Sequence, residues 1–228
     1  METIKAIFKK STRSLNSYSP YHNREERALF ISKLFKNFIL DSILDVGCGD
    51  KLLKKHLPPN VEYIGVDING TPDYIIDLEK DGLQKFEDNS FYTIICTDVL
   101  EHLNNLHDIF DELCRVSKKY IIVSLPNNWI NFKFFLISGT GGEHYYGLPI
   151  EKPKDRHKWF FNYDEAYTFL YNRGKKHNFK VLHNFPIPVI HQTLLIHILN
   201  LFFKVYYRGK FGYNNLFYSS LWVLLEKN

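Results

Sequence analysis

Residues 44 to 50, LDVGCGD, constrain the fold of this chain more than any other stretch. An apolar run, Ser42 to Val46, breaks into two glycines one residue apart and then into polar residues. That is the pattern of a buried strand, a tight turn and a helix, the helix expected to start near Asp50 or Lys51. Gly47 and Gly49 lack a Cβ, so the backbone can turn sharply and a ligand can lie against it. A nucleotide-type crevice in an α/β sheet is the first expectation.

Two departures from the dinucleotide fingerprint sharpen this. Leu52 stands where GxGxxG needs its third glycine, and Asp45 puts a carboxylate inside the strand end. A carboxylate there suits a cationic ligand better than a pyrophosphate. About twenty residues on, YIGVDIN at 63 to 69 reads as a second strand ending in Asp67, placed to accept the hydroxyls of a ribose. A ribose and a cationic group without a diphosphate describe S-adenosylmethionine. A nicotinamide-dependent oxidoreductase would share the turn but needs the third glycine and lacks Asp45.

LDVGCGD, GVD, DNSFYTIICTDVLEHL at 88 to 103 and IIVSLPN at 121 to 127 follow one another in order and spacing. Together they resemble the successive motifs of class I S-adenosylmethionine-dependent methyltransferases, over roughly residues 24 to 185. Tyr92 departs from the Asp usual after Phe in the SF run. The resemblance implies a doubly wound, seven-stranded, mostly parallel sheet, the seventh strand antiparallel between the fifth and sixth. It also implies methyl transfer from S-adenosylmethionine to an acceptor, or the same fold kept as a non-catalytic binding protein.

Composition agrees. The 228 residues fit one α/β domain able to bury its own core. Aromatics reach 16%, with 19 Phe and 15 Tyr, so apolar surface beyond an ordinary core is expected. A net charge of +4 falls short of a nucleic-acid-binding signature, and no nucleic-acid partner is expected. Cys48, Cys96 and Cys114 form no CxxC pair, which argues against a disulfide framework or structural zinc and for a reducing cytoplasm. The first fifteen residues are broken by charge at Lys5 and Lys9, unlike a secretory signal.

Periodicity divides one methyltransferase domain over 1 to 228 into parts. Residues 1 to 40 form a lead-in with an amphipathic helix over 23 to 39, and residues 41 to 125 the cofactor-binding core. Further strands are expected at 73 to 76, 92 to 96 and 120 to 125, with a helix over 104 to 116. Residues 126 to 162 read as a long glycine- and proline-punctuated lid and acceptor region. Asn162 and Glu165 form a capping-box signature for a helix over 163 to 173. Strands at 179 to 183 and 217 to 226 close the pattern, with a hydrophobic insertion at 189 to 210 between them.

Open α/β sheets bind ligands at the carboxyl ends of their strands, which brings Asp45, Gly47, Gly49, Asp67 and Asp98 to one crevice. The resemblance implies that the glycine loop meets the methionine end, Asp67 with Ile68 the ribose, and Asp77 with Leu78 the adenine. Asp77 reads equally as a loop residue, and Asp98 either caps a helix or touches ligand. Methyl transfer is an in-line displacement, so a base is needed only if the acceptor must lose a proton. His102, His144 and His157 are the candidate imidazoles. Glu101 and His102 follow the fourth strand, near the methyl end, where some of the methyltransferases resembled bind a divalent metal through a Glu-His pair to hold the acceptor's oxygens, or simply open the next helix. His157 stands among Lys154, Arg156, Lys158 and Trp159, read as acceptor recognition or as a solvated basic loop. No histidine pair at metal-ligand spacing appears, and no metal is expected.

The acceptor expected is an oxygen of a small molecule, a glycan or a lipid-linked substrate. The apolar residues 189 to 207, interrupted by His191, Gln192, His197, Asn200 and Lys204, make a poor membrane span. They read as a helix that lies on a membrane surface, joins a homodimer or covers the sheet.

Overall fold

A computed structural model describes residues 21–139, 145–153, 155–188, 198, 201–202, 205–207 and 212–228. Helix α1 (Arg24–Leu34) leads into β1 (Ser42–Val46), the glycine turn and a single 3₁₀ turn (Leu52–His56). Strands β2 (Glu62–Asp67), β3 (Tyr74–Ile75) and β4 (Phe91–Thr97) follow, then a second 3₁₀ turn (Leu100–His102). Next come α2 (Leu106–Val116), β5 (Ser117–Pro126), α3 (Asn128–Ser138), α4 (Tyr163–Lys176), β6 (Phe179–Pro188), α5 (Tyr213–Phe217) and β7 (Tyr218–Lys227). The sheet order is β3-β2-β1-β4-β5-β7-β6, with β7 antiparallel to both β5 and β6 and the other pairings parallel.

The strand residues alternate between two cores. On one face Leu44, Ile94, Cys96, Ile121, Val123 and Val223 pack under α2 and α4, which contribute Phe110, Leu113, Ala166 and Leu170. On the other, Ile43, Ile95, Ile122, Trp222 and Leu224 meet Phe30, Ile31 and Phe35 at α1 and its end. Trp222 is fully buried, edge-on to Phe30 and stacked on Phe35. Burial on both faces is why β1, β4 and β5 read as continuous apolar runs.

Three sequence expectations change. The helix after the glycine turn is only the 3₁₀ turn: left-handed Lys51 delays its start to Leu52, and Leu57, held extended before Pro58, ends it. The presumed loop from 126 holds α3, started by Asn127, whose side chain accepts the Trp129 N–H, and ended by Gly139 in the left-handed region. The lead-in helix stops at Leu34, short of 39. His144, Lys154 and nearly all of 189–207 lie outside the described residues. Among the described residues no helix is long and apolar enough to cross a membrane.

Candidate active site

Strand order reverses between β1 and β4, and there the carboxyl ends of β1, β2 and β4 open into a cleft of about 1000 Å³. Its walls include Asp45, Gly47, Gly49, Asp67, Ile68, Asp77, Leu78, Asp98, Glu101, His102 and His157. The expected cofactor residues, with Glu101, His102 and His157, therefore line one cavity, while His144 lies outside the described residues.

The glycine turn is held by its neighbours. Gly47 has φ +79°, and a Cβ there would come within 2.2 Å of Val99. No other residue fits without moving the segment after β4. Asp67 accepts hydrogen bonds from the Gly49 N–H (2.8 Å) and the Asn69 N–H (2.9 Å), tying the end of β2 to the turn. Gly70 completes the contact, since a Cβ on it would lie 2.5 Å from the Gly49 carbonyl. The Asn69-Gly70 pair was a turn signal that could have found it.

Asp45 sits beneath this turn, 6% exposed, and accepts a 2.6 Å hydrogen bond from the Tyr63 hydroxyl. Burial pushes its carboxyl up to about 6, against that hydrogen bond and the charge of Arg27. Asp98 is ion-paired with Arg27 of α1 and accepts from the Ser124 hydroxyl at 2.6 Å. It takes a left-handed backbone conformation at the end of β4 and faces the cleft rather than capping a helix. Sequence reasoning missed Arg24 and Arg27, which reach the cleft from α1. Charged residues on a helix before the sheet carry no local sign of which cavity they face.

At the adenine end expected from the resemblance, Asp77 closes its own turn. Its carboxylate accepts from the Glu79 N–H and pairs with Lys80 at 2.8 Å, which holds it below the usual carboxylate range. The turn leaves Leu78 buried in the wall. Cys48 donates a long hydrogen bond to the neighbouring carbonyl, and burial pushes its thiol up to about 12, away from the thiolate form.

The opposite end gathers the ionisable side chains. Glu101 is 1% exposed; its Oε1 lies 3.8 Å from His102 Nε2, and its Oε2 has no hydrogen-bond partner among the described residues. Burial, with Asp98 nearby, holds its carboxyl well above the ordinary range. His102 Nδ1 meets Asp155 Oδ1 at 2.6 Å. The rings of His102 and His157 are perpendicular at 4.7 Å, so His102 and His157 are direct neighbours across 55 residues of chain. His157 is stacked against Tyr145 (4.4 Å), and its Nδ1 hydrogen-bonds the Tyr146 hydroxyl at 2.7 Å.

Two cations of the basic run around His157, Arg156 and Lys158, are engaged within the protein. Arg156 donates to the carbonyls of Tyr146 (2.6 Å) and Gly147 (2.8 Å), pinning that segment over the cleft. Lys158 pairs with Glu79 at 2.7 Å. Trp159 turns away from His157, donates to the Leu103 carbonyl and packs on His107 of α2. Alternation along an extended segment puts His157 inward and Trp159 toward the core. Asn128 holds the segment by donating its side-chain amide to the Trp159 carbonyl and its backbone N–H to the Phe161 carbonyl, while Asn127 donates to the carbonyls of Asn215 and Tyr218.

A family model described as a methyltransferase domain matches residues 11–184. No curated protein matches the chain by sequence. In fold it is similar to the small RNA methyltransferase HEN1, at TM-score 0.60 and 15% identity, covering 95% of this chain and 27% of that one. It is also similar to a SAM dependent methyltransferase from Archaeoglobus fulgidus, at TM-score 0.55 and 18% identity, covering 90% and 95%. A third, an S-adenosylmethionine-dependent methyltransferase from Clostridium acetobutylicum, gives 0.53 and 11% identity, covering 100% and 98%. The chain thus spans about a quarter of HEN1 and almost the whole of the other two. Since the family match takes in α1, all strands bordering the cleft and the start of β6, the chain belongs to the methyltransferase-domain family, in its S-adenosylmethionine-dependent class I form.

Proposed function

We propose that this single domain transfers the methyl group of S-adenosylmethionine to an oxygen of a small-molecule, glycan or lipid-linked acceptor. The observation that carries this is the polarity of the cleft: the Asp67 and glycine-turn end is built from backbone donors and a carboxylate, the far end from Glu101, His102 and His157. In this reading Asp67, with Ile68 against the sugar, binds the ribose, Asp45, Gly47 and Gly49 hold the methionine end, and Leu78 flanks the adenine. Asp98 orients Arg27 at the methionine end. Asp77 shapes the turn that presents Leu78.

His157 and His102 then stand on the acceptor side, with Glu101 between them and the sheet. Either imidazole takes a proton from a hydroxyl acceptor as the C–O bond forms and the C–S bond to the sulfonium breaks. That contribution is typically about 10² to 10⁴-fold, smaller than the roughly 7 to 11 kcal/mol that alignment itself can supply. Tyr145 and Tyr146, held down by Arg156, keep water from this end.

The reading is tested in two steps. Calorimetry should show S-adenosylmethionine binding by the intact chain, weakened about 10- to 150-fold in Asp67→Ala, the loss of charge-assisted hydrogen bonds worth about 1.5 to 3 kcal/mol. Methyl-labelled cofactor incubated with cell extract should then place label in a small-molecule, polysaccharide or lipid fraction. Label confined to nucleic acid would replace the acceptor by the class on which HEN1 is described as acting. Absence of cofactor binding would remove the reading altogether.

A further inference from the structure

We propose that Glu101, His102 and His157 form a binding site for one divalent transition-metal ion at the acceptor end of the cleft. One ligating atom from each of the three lies within 4.8 Å of the others. Two imidazoles and one carboxylate are a donor set that suits Zn²⁺, Mn²⁺ or Co²⁺ and leaves further positions open for exogenous oxygens. Metal–ligand bonds of about 2.0 to 2.2 Å put adjacent donors about 3 to 3.5 Å apart. The cluster therefore needs to close by about an ångström, within reach of side-chain rotation at a cleft wall.

Three features point to a ligand rather than to a casual cluster. Glu101 is 1% exposed and its Oε2 has no hydrogen-bond partner among the described residues. A buried carboxylate oxygen left unsatisfied is costly, and folded chains seldom keep one without use. Next, Asp155 holds His102 through Nδ1 at 2.6 Å while Nε2 faces Glu101. A carboxylate on the far nitrogen is the arrangement that orients metal-bound imidazoles and raises their basicity. The Tyr146 hydroxyl fixes the ring of His157 through its Nδ1. Lastly, the backbone bond from Lys158 N–H to the Glu101 carbonyl (2.8 Å) locks the segment bearing His157 against the turn bearing Glu101. The two halves of the site are thus held together without the ion.

Metal binding stands on these residues alone. Its use in catalysis rests on the proposed methyl transfer, where a metal bound here would hold an acceptor's oxygen and ease loss of its proton.

The test separates the two. Metal-stripped protein is titrated with Co²⁺ followed by its visible spectrum, and with Mn²⁺ and Zn²⁺ followed by calorimetry, with S-adenosylmethionine affinity and circular dichroism measured on every sample. The proposal expects one ion per chain, loss of that site in Glu101→Gln and in His157→Ala, and about 10- to 100-fold weaker binding in Asp155→Asn. Failure of the folded wild-type chain to bind any of the three ions stoichiometrically overturns it. So does binding that both ligand variants retain at full affinity, since the ion then sits elsewhere. Neither result bears on cofactor affinity, so the methyl-transfer reading survives or falls separately.

Discussion

With Asp45 as the carboxylate proposed to meet the cofactor's cationic group, cofactor affinity should depend on pH. Burial raises its carboxyl to about 6 in the free chain, from an ordinary value near 4. The folded chain therefore binds a proton that the unfolded chain has already lost between about pH 4 and 6. In that window the stability of the free protein falls as pH rises. A ligand's cationic group beside Asp45 selects the ionised form, so binding expels the proton. Cofactor affinity should be flat above about pH 7 and drop toward tenfold per unit below about pH 6. Calorimetry at pH 5 and 7.5, in buffers of different ionisation enthalpy, reads both the affinity and the proton release; equal affinities at the two values would separate Asp45 from the ligand. At this scale the sequence was legible where a local pattern carries the geometry: the Gly47 and Gly49 turn, with its positive φ, declared itself. Arg27 and the pairing of His102 with His157 did not, because partners 71 and 55 positions apart leave no local pattern.

The capping box of α4 shows how much one element owes to a few atoms. Asn162 accepts from the Glu165 N–H at 2.9 Å, and Glu165 accepts from the Asn162 N–H at 2.8 Å. The helix so started buries Leu170 and places Arg173 in a two-point ion pair with Asp111 of α2. Asn162→Ala should cost about 0.5 to 2 kcal/mol, lowering the melting temperature by about 2 to 4 °C per kcal/mol for a chain this size. Asn162→Asp should keep most of it; equal losses in both variants would put the effect in packing rather than in the cap. This cap was plain in the sequence, whereas α3 was not. NWINFKFFLIS has apolar residues on every side and few strong helix formers, so neither period nor propensity marks it as a helix.

For the whole molecule, the cleft couples ligand binding to stability. Segments far apart in sequence border it, α1 with Arg27 and the stretch bearing Tyr145, Asp155 and His157, around the strand ends. Binding to the folded state alone stabilises by about 2.7 kcal/mol at a ligand concentration 100 times Kd. S-adenosylhomocysteine at that excess should raise the melting temperature by about 5 to 10 °C. Scanning fluorimetry with no shift, at a concentration where calorimetry shows saturation, would contradict a cleft formed only on folding. The sequence by itself determined the sheet and the glycine turn, because strands buried on both faces and a turn needing positive φ impose their own residue types locally. The tertiary structure decided the rest: which arginines reach the cleft, that Arg156 and Lys158 are bound internally, and that Glu101, His102 and His157 meet. Those depend on how separate segments pack, and packing brings together residues whose identities place no constraint on one another along the chain.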